Sequence, residues 1–270
     1  MLREILATQH FAGKRLDAAL EGFCQTVDVS FLVSEQRLIK SPAELTYVRC
    51  AGELADAAWQ AAVSMTAGGV DEGDILAAMQ GAVFRGGGDY AGNEFIIGSG
   101  NDALLCRYFS GRKRLTDRDQ LTLEFAGAYR HYHACMMRTM IIGAPDGHQL
   151  KMFQACSDAL AAAKAALQPG LPIGGVFDAH AAVMDDAGFN HARLNACGYS
   201  LGAVFAPIWM DYPMFYHDNP VVAAPGMVFF LHMILMDSHR HQAMSLGETV
   251  LVTDTVPERL SAAPLVLVVK

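Results

Sequence analysis

Glu124 stands between Leu123 and Phe125, in the middle of an apolar run. An ionised carboxylate in such a run loses several kcal/mol or more on leaving water unless it is paired or used. Two readings follow. Glu124 points at solvent from an edge strand, or it is a site group whose pKa, raised by burial, suits it to take a proton from water or to attack directly. His232 lies within Phe229-Phe230-Leu231-His232-Met233-Ile234 and reads either as a satisfied core histidine or as a proton shuttle. His131 and His133, spaced by two across Tyr132, are expected to share a strand face, both outward or one toward a cleft. Tyr199, in a Gly-rich turn, and Glu94, after Asn93, are further polar candidates, and Arg107 and Arg138 are cations able to pair with Glu124. His239 and His241 flank Arg240 in an expected hairpin loop, where solvent exposure is the default.

The elements that must position these groups centre on residues 121–142. Apolar alternation up to Phe125 and a second apolar run predict a strand, a tight turn at Gly127 and a returning strand. Before it, residues 1–41 predict a helix over about 13–25 and a short strand over Val27 to Val33. Ser41, Pro42 and Glu44 start a helix that the apolar positions carry to about Met65. A Gly-rich turn, an Asp-capped helix, a Gly-rich exit and a strand at Glu94 to Gly98 follow. The order then repeats, with helices over Leu150 to Leu167 and Ile173 to Asp186 and strands over Leu194 to Leu201, Met227 to Asp237 and Ala243 to Thr253. At a shift of 101 residues, Gly170, Gly174 and Gly188 fall on Gly69, Gly73 and Gly87, which points to a duplicated helix-helix-strand unit. The implied architecture is α+β, a curved mixed sheet covered on one face by helices, with a site between the halves.

The chain has 270 residues, 52% of them hydrophobic, and can bury a large core. A net charge of -8 with scattered Lys and Arg argues against nucleic acid and against an anionic membrane. The N-terminus does not read as a signal peptide, and no apolar run reaches the length of a spanning helix. The six cysteines lie far apart and form no CxxC, which predicts a reduced, cytoplasmic protein without a disulfide framework.

Five separated motifs occur in one order: Lys40-Ser41-Pro42-Ala43-Glu44-Leu45, Gly98-Ser99-Gly100-Asn101, the hairpin closing on Arg138-Thr139, Pro225-Gly226-Met227-Val228-Phe229, and Glu248-Thr249-Val250-Leu251-Val252. Together they resemble the C-terminal catalytic domain of the creatinase, aminopeptidase P and prolidase family, the pita-bread fold, over about residues 36–260. On this resemblance residues 1–35 are a remnant of an N-terminal domain and 36–270 the catalytic-type domain. The family's metallopeptidases hold two metal ions with two Asp, one His and two Glu. Those positions carry Glu124, Cys135, Tyr199, His232 and Gly247 here, so the resemblance implies a site without metal or other cofactor. Creatinase, a metal-free member, has its own catalytic positions at Arg107, Met137, Tyr199 and His232, none of which keeps the residue type.

The pattern Gly87-Gly88-Asp89-Tyr90, the Glu124 hairpin and the run around His232 resemble the ectoine hydrolases, another branch read as metal-independent. That resemblance implies hydrolysis of a C–N bond in a small cyclic amidine or amide. Glu124 and His232 would be catalytic, with Arg107, His133, Arg138, Tyr199 and Glu94 binding the substrate. It also implies a homodimer acting on a small molecule, with no nucleic acid or membrane partner. The alternatives are a catalytically inactive pita-bread binding protein and, third, a metal-dependent Xaa-Pro peptidase.

Overall fold

A computed structural model of the protein describes residues 28–105 and 113–270. The chain divides into two units, 1–37 and 38–270. Helix α1, Ser30–Leu38, begins in the first unit, where the Asp28 carboxylate accepts the backbone N–H of Ser30 and the Val29 carbonyl accepts that of Val33. The strand expected over Val27 to Val33 is helix from Ser30 onward, because local hydrogen bonds at Asp28 and Val29 outweigh the β-branched and aromatic content of the segment. The helix expected over 13–25 falls outside the described residues.

In the second unit, α2 spans Pro42–Met65 and starts on a capping box, with the Ser41 side chain accepting from Glu44 N–H and the Glu44 carboxylate accepting from Ser41 N–H at 2.7 Å. Helix α3, Glu72–Arg85, is capped by Asp71. Strands β1, Ile96–Ser99, β2, Asp119–Tyr129, and β3, Tyr132–Ile142, complete the first half. The second half repeats the order: α4, Gly147–Ala166, α5, Gly174–Asp186, then β4, Gly198–Ser200, β5, Asp211–Met214, β6, Val228–Asp237, and β7, Gln242–Leu251. Two short strands, β8 (Glu258–Arg259) and β9 (Val268–Val269), close the chain. Two of the three matched glycine pairs share a left-handed backbone, Gly69 and Gly170 at φ +83° and +84°, Gly87 and Gly188 at +83° and +86°, while Gly73 and Gly174 both lie in the first turn of a helix. The described residues thus repeat conformation as well as sequence, at turns that only glycine adopts without strain.

The sheet runs β1-β2-β3-β7-β6-β4-β5, antiparallel throughout, with β8 on β7 and β9 added in parallel to β3. Helices pack on one face. The α+β pita-bread architecture is the one expected, with β5, β8 and β9 as additions.

The central hairpin turns later than expected. Tyr129 pairs with Tyr132, and the two loop residues, Arg130 and His131, both have positive φ, as the tightest hairpin loops require. Gly127 is instead a strand residue against α2: a Cβ there would lie 2.0 Å from the Ala51 carbonyl oxygen. Its missing side chain sets the helix-to-sheet approach, not a reversal of the chain. His131, sitting in the loop, does not share a strand face with His133.

The two halves meet where β3 pairs with β7, through Met136↔Glu248, Met137↔Gly247 and Arg138↔Leu246. Side chains reinforce this short seam. An Arg138 Nη1 N–H donates to the Gly247 carbonyl, the Thr139 and Ser245 hydroxyls bond at 3.1 Å, Ser245 N–H donates to Thr139 Oγ1, and Thr249 Oγ1 donates to the Cys135 carbonyl. The Arg-Thr pair that ends the hairpin motif therefore fastens one half to the other.

Gly127→Ala forces either the Ala51 carbonyl or the whole of α2 to move, and should destabilise the fold by about 3 kcal/mol, the upper end for overpacking, as read by urea unfolding. A second expectation concerns Lys40, 4% exposed, whose Nζ donates to the Leu38 carbonyl. Burial pulls its amine down to about 8, with Asp211 and Glu44 offsetting part of the effect. Between about 8 and its unfolded value the unfolded chain binds the proton more tightly, so stability should rise as pH rises through that window. In Lys40→Met the rise should disappear, and the variant should gain on the order of 1 kcal/mol or more at pH 7.

Candidate active site

The register carries the candidate residues onto one surface. Glu124 pairs with Met137, Met137 with Gly247, and Gly247 with His232, a single row across β2, β3, β7 and β6. Residues directly opposite in antiparallel strands project to the same face, so Glu124 and His232 face the same way from the two ends of that row. In the adjoining row Ala126 pairs with Cys135, and Thr249 with Phe230, which pairs in turn with Tyr199. All five positions that the family resemblance picks out thus converge.

Glu124, Tyr199 and His232 line one cavity of about 240 Å³, walled otherwise by apolar groups including Met137, Met210 and Met214. Each is buried, at 6%, 2% and 7% exposure. The Tyr199 hydroxyl donates to Glu124 Oε1 at 3.1 Å, and the Trp209 indole N–H donates to the Tyr199 oxygen at 2.8 Å. Burial, then the negative charge of Glu124, push the Tyr199 phenol well above its usual range. Tyr199 is accordingly a neutral donor that orients the carboxylate. Cys135 is treated the same way, its thiol pushed well up by burial and by Glu124, and it carries no thiolate at neutral pH. The His232 ring packs 5.6 Å from both the Tyr199 and the Phe230 rings.

This donor set does not fit the two-metal centre of the family's peptidases. Gly247 offers no ligand, and a Cβ built there would meet the Phe230 ring at 2.8 Å, so the room for a longer side chain is taken. Cys135 and Tyr199 stand where the family's peptidases carry an Asp and the His, so of the four carboxylates and one imidazole that hold two divalent ions only the Glu124 carboxylate keeps its kind. No group of three His, Cys, Asp or Glu able to hold a metal occurs among the described residues.

The other sequence candidates lie elsewhere. Arg138 belongs to the opposite face, as strand alternation dictates for the neighbour of Met137: it is 1% exposed, bonded to the Met137 and Gly247 carbonyls and 6.0 Å from the Trp59 ring. It is a seam residue, not a group in the cavity. His133 is fully buried and accepts the Gly92 N–H at Nε2, with Nδ1 against the Gly202 carbonyl. Burial lowers its pKa to about 4, so it is a neutral brace between two loops. Glu94 lines a separate concavity. Arg107 falls outside the described residues. Sequence reading missed Trp209, one of two tryptophans in the chain, and the methionines that wall the cavity. The one signal for Trp209 is its place in an otherwise small and apolar loop soon after Tyr199.

Known proteins share this fold and parts of this sequence. The chain is 26% identical over 256 residues to the ectoine hydrolase of Halomonas elongata, covering 90% of this chain and 63% of that protein. It is 22% identical over 230 residues to a Xaa-Pro dipeptidase of Pyrococcus furiosus, covering 85% and 65%. The chain spans about three-fifths of the length of the curated relatives it matches. Among solved structures, a dipeptidase of Pyrococcus horikoshii superposes with a TM-score of 0.88 at 21% identity, over 100% of this chain and 77% of that one. The prolidase of Pyrococcus furiosus gives 0.86 at 21% identity, over 92% and 74%. The metallopeptidase family M24 matches residues 46–254, and the chain belongs to that family.

Proposed function

We propose that the protein is a metal-independent hydrolase of a C–N bond in a small cyclic amidine or amide, of the ectoine hydrolase kind. The observation that carries the proposal is the cavity in which Glu124 and His232 face the same space while the remaining ligand positions hold Cys135, Tyr199 and Gly247. A peptidase of the two-metal kind would need donors that these residues do not provide.

A cyclic amidine is a planar cation when protonated. Glu124 pairs with it through charge-assisted hydrogen bonds, with Tyr199 and behind it Trp209 holding the carboxylate in place. Water adds to the amidine carbon as Glu124 takes its proton, giving a tetrahedral carbon that bears the new hydroxyl and both nitrogens. His232, in its protonated form, gives a proton to one ring nitrogen, and that C–N bond breaks. The hydroxyl proton passes to the His232 imidazole as the carbonyl forms, and Glu124 gives its proton to the released amine, leaving an amide on one nitrogen, an ammonium on the other and both side chains as they began. The apolar wall of Met137, Met210 and Met214 keeps bulk water away and strengthens the carboxylate–cation pairing.

The purified protein should hydrolyse ectoine or hydroxyectoine in preference to creatine and a Gly-Pro dipeptide, followed by product formation. Glu124→Gln should keep the fold and lose at least about a hundredfold in turnover, the usual scale for a general base, and His232→Asn should lose less. Wild-type turnover in Glu124→Gln would remove this mechanism. Elemental analysis should find no stoichiometric transition metal, and turnover should survive chelation by EDTA; about two manganese, zinc or iron ions per chain would refute the metal-independent reading.

A further inference from the structure

Apart from the Glu124 cavity, a second concavity of about 420 Å³ lies between the end of α3 and the loop that leads to Trp209. Phe84, Tyr90, Phe95 and Pro207 wall it, two carboxylates, Asp89 and Glu94, line it, and among the described residues no lysine or arginine does. Phe84, Asp89 and Tyr90 also border an adjoining hollow of about 320 Å³ that reaches His131. Neither shares a lining residue with the Glu124 cavity.

The chemistry of this groove is specific. Tyr90 is 81% exposed and Phe84 42%, yet they pack edge to face with ring centroids 4.9 Å apart. The pair is thus ordered by itself while leaving ring surface to solvent, an arrangement whose apolar hydration a ligand relieves. Aromatic faces carry negative potential, and here they stand beside two acidic side chains. An anion is repelled by that combination. A neutral apolar ligand would strip water from the carboxylates without replacing it. A weakly hydrated cation satisfies both surfaces.

We propose that this groove binds an organic cation, a quaternary ammonium or guanidinium group on a small molecule, against the Phe84 and Tyr90 rings and between Asp89 and Glu94. Phe95 and Pro207 favour an alkylated or planar cation over a strongly hydrated primary ammonium. The groove also lies one layer from the catalytic hydrogen-bond chain. Gly92 lines it, and a Cβ there would meet the Ile208 carbonyl oxygen at 2.7 Å and Trp209 Cα at 3.4 Å. Trp209 in turn holds Tyr199, so occupancy of the groove bears on the loop that orients Glu124.

Isothermal titration of the full chain with choline and with methylguanidinium tests the proposal, with 3,3-dimethylbutanol as the neutral isostere of choline. At least one cation should bind with a dissociation constant below about 10 mM, and the alcohol should bind at least about tenfold more weakly, the scale of one cation–π contact with its ion pairing. Tyr90→Ala and Glu94→Gln, both at exposed positions, should each weaken the cation severalfold. Binding of neither cation, equal binding of choline and the alcohol, or unchanged affinity in both variants would overturn it.

Discussion

Strand register is the constraint on which the candidate site depends. Successive residues of a strand face opposite sides, so a slip of one position in β2 against β3 would send Glu124 to the helix face and bring Leu123 or Phe125 to the cavity. The two-residue loop at Arg130 and His131 fixes that pairing from one end, and the Gly127 contact with Ala51 fixes it from the side, because only glycine passes beneath the α2 backbone. His232 is held by the equivalent pairing of β6 with β7 and by its own backbone N–H on the Cys197 carbonyl. Neither residue chooses its position. The ladders choose it.

The same alternation keeps two electrostatic environments apart across one thickness of sheet. Gly247 faces the cavity, while its neighbour Glu248, fully buried, lies on the helix side and is held by Lys164 at 2.7 Å and by Arg259. Arg138 shares that side, and burial pulls its guanidinium down to about 10 although Glu248 works in the opposite direction. Buried ions of this kind contribute little net stability but are severe to unbalance, since removing one partner strands the other. Three cations thus gather around one carboxylate on the helix side, while on the cavity side the Glu124 carboxylate accepts the Tyr199 hydroxyl.

Much of the architecture was legible because the signals are local. Ser41, Pro42 and Glu44 mark the start of α2 through hydrogen bonds that span three residues, and the glycine spacing of 101 residues exposes the duplication because the turns at Gly69 and Gly170, and at Gly87 and Gly188, demand the same positive φ. The errors come from contacts that span the chain. Gly127 looks like a turn residue until α2 is seen to press on it, and Arg138 looks like a free cation until the alternation of β3 turns it toward Trp59. The convergence of Glu124, Tyr199 and His232 came from family position, not from spacing, since the three lie on different strands. Trp209 could not be placed by pattern at all, because a loop has no period and its indole finds Tyr199 only in three dimensions.

The seam between the halves has a mechanical meaning. β2 and β3 share eleven paired positions and β6 and β7 share ten, whereas β3 and β7 share three. Glu124 is rigidly part of one hairpin and His232 of the other. The sheet is therefore two long ladders joined along a narrow weld, and the gap between Glu124 and His232 is the quantity that flexing of the weld alters first. Arg138, Thr139, Ser245 and Thr249 act on that gap without lining the cavity, so the width of the cavity is written into residues on the joint as much as into those on the wall.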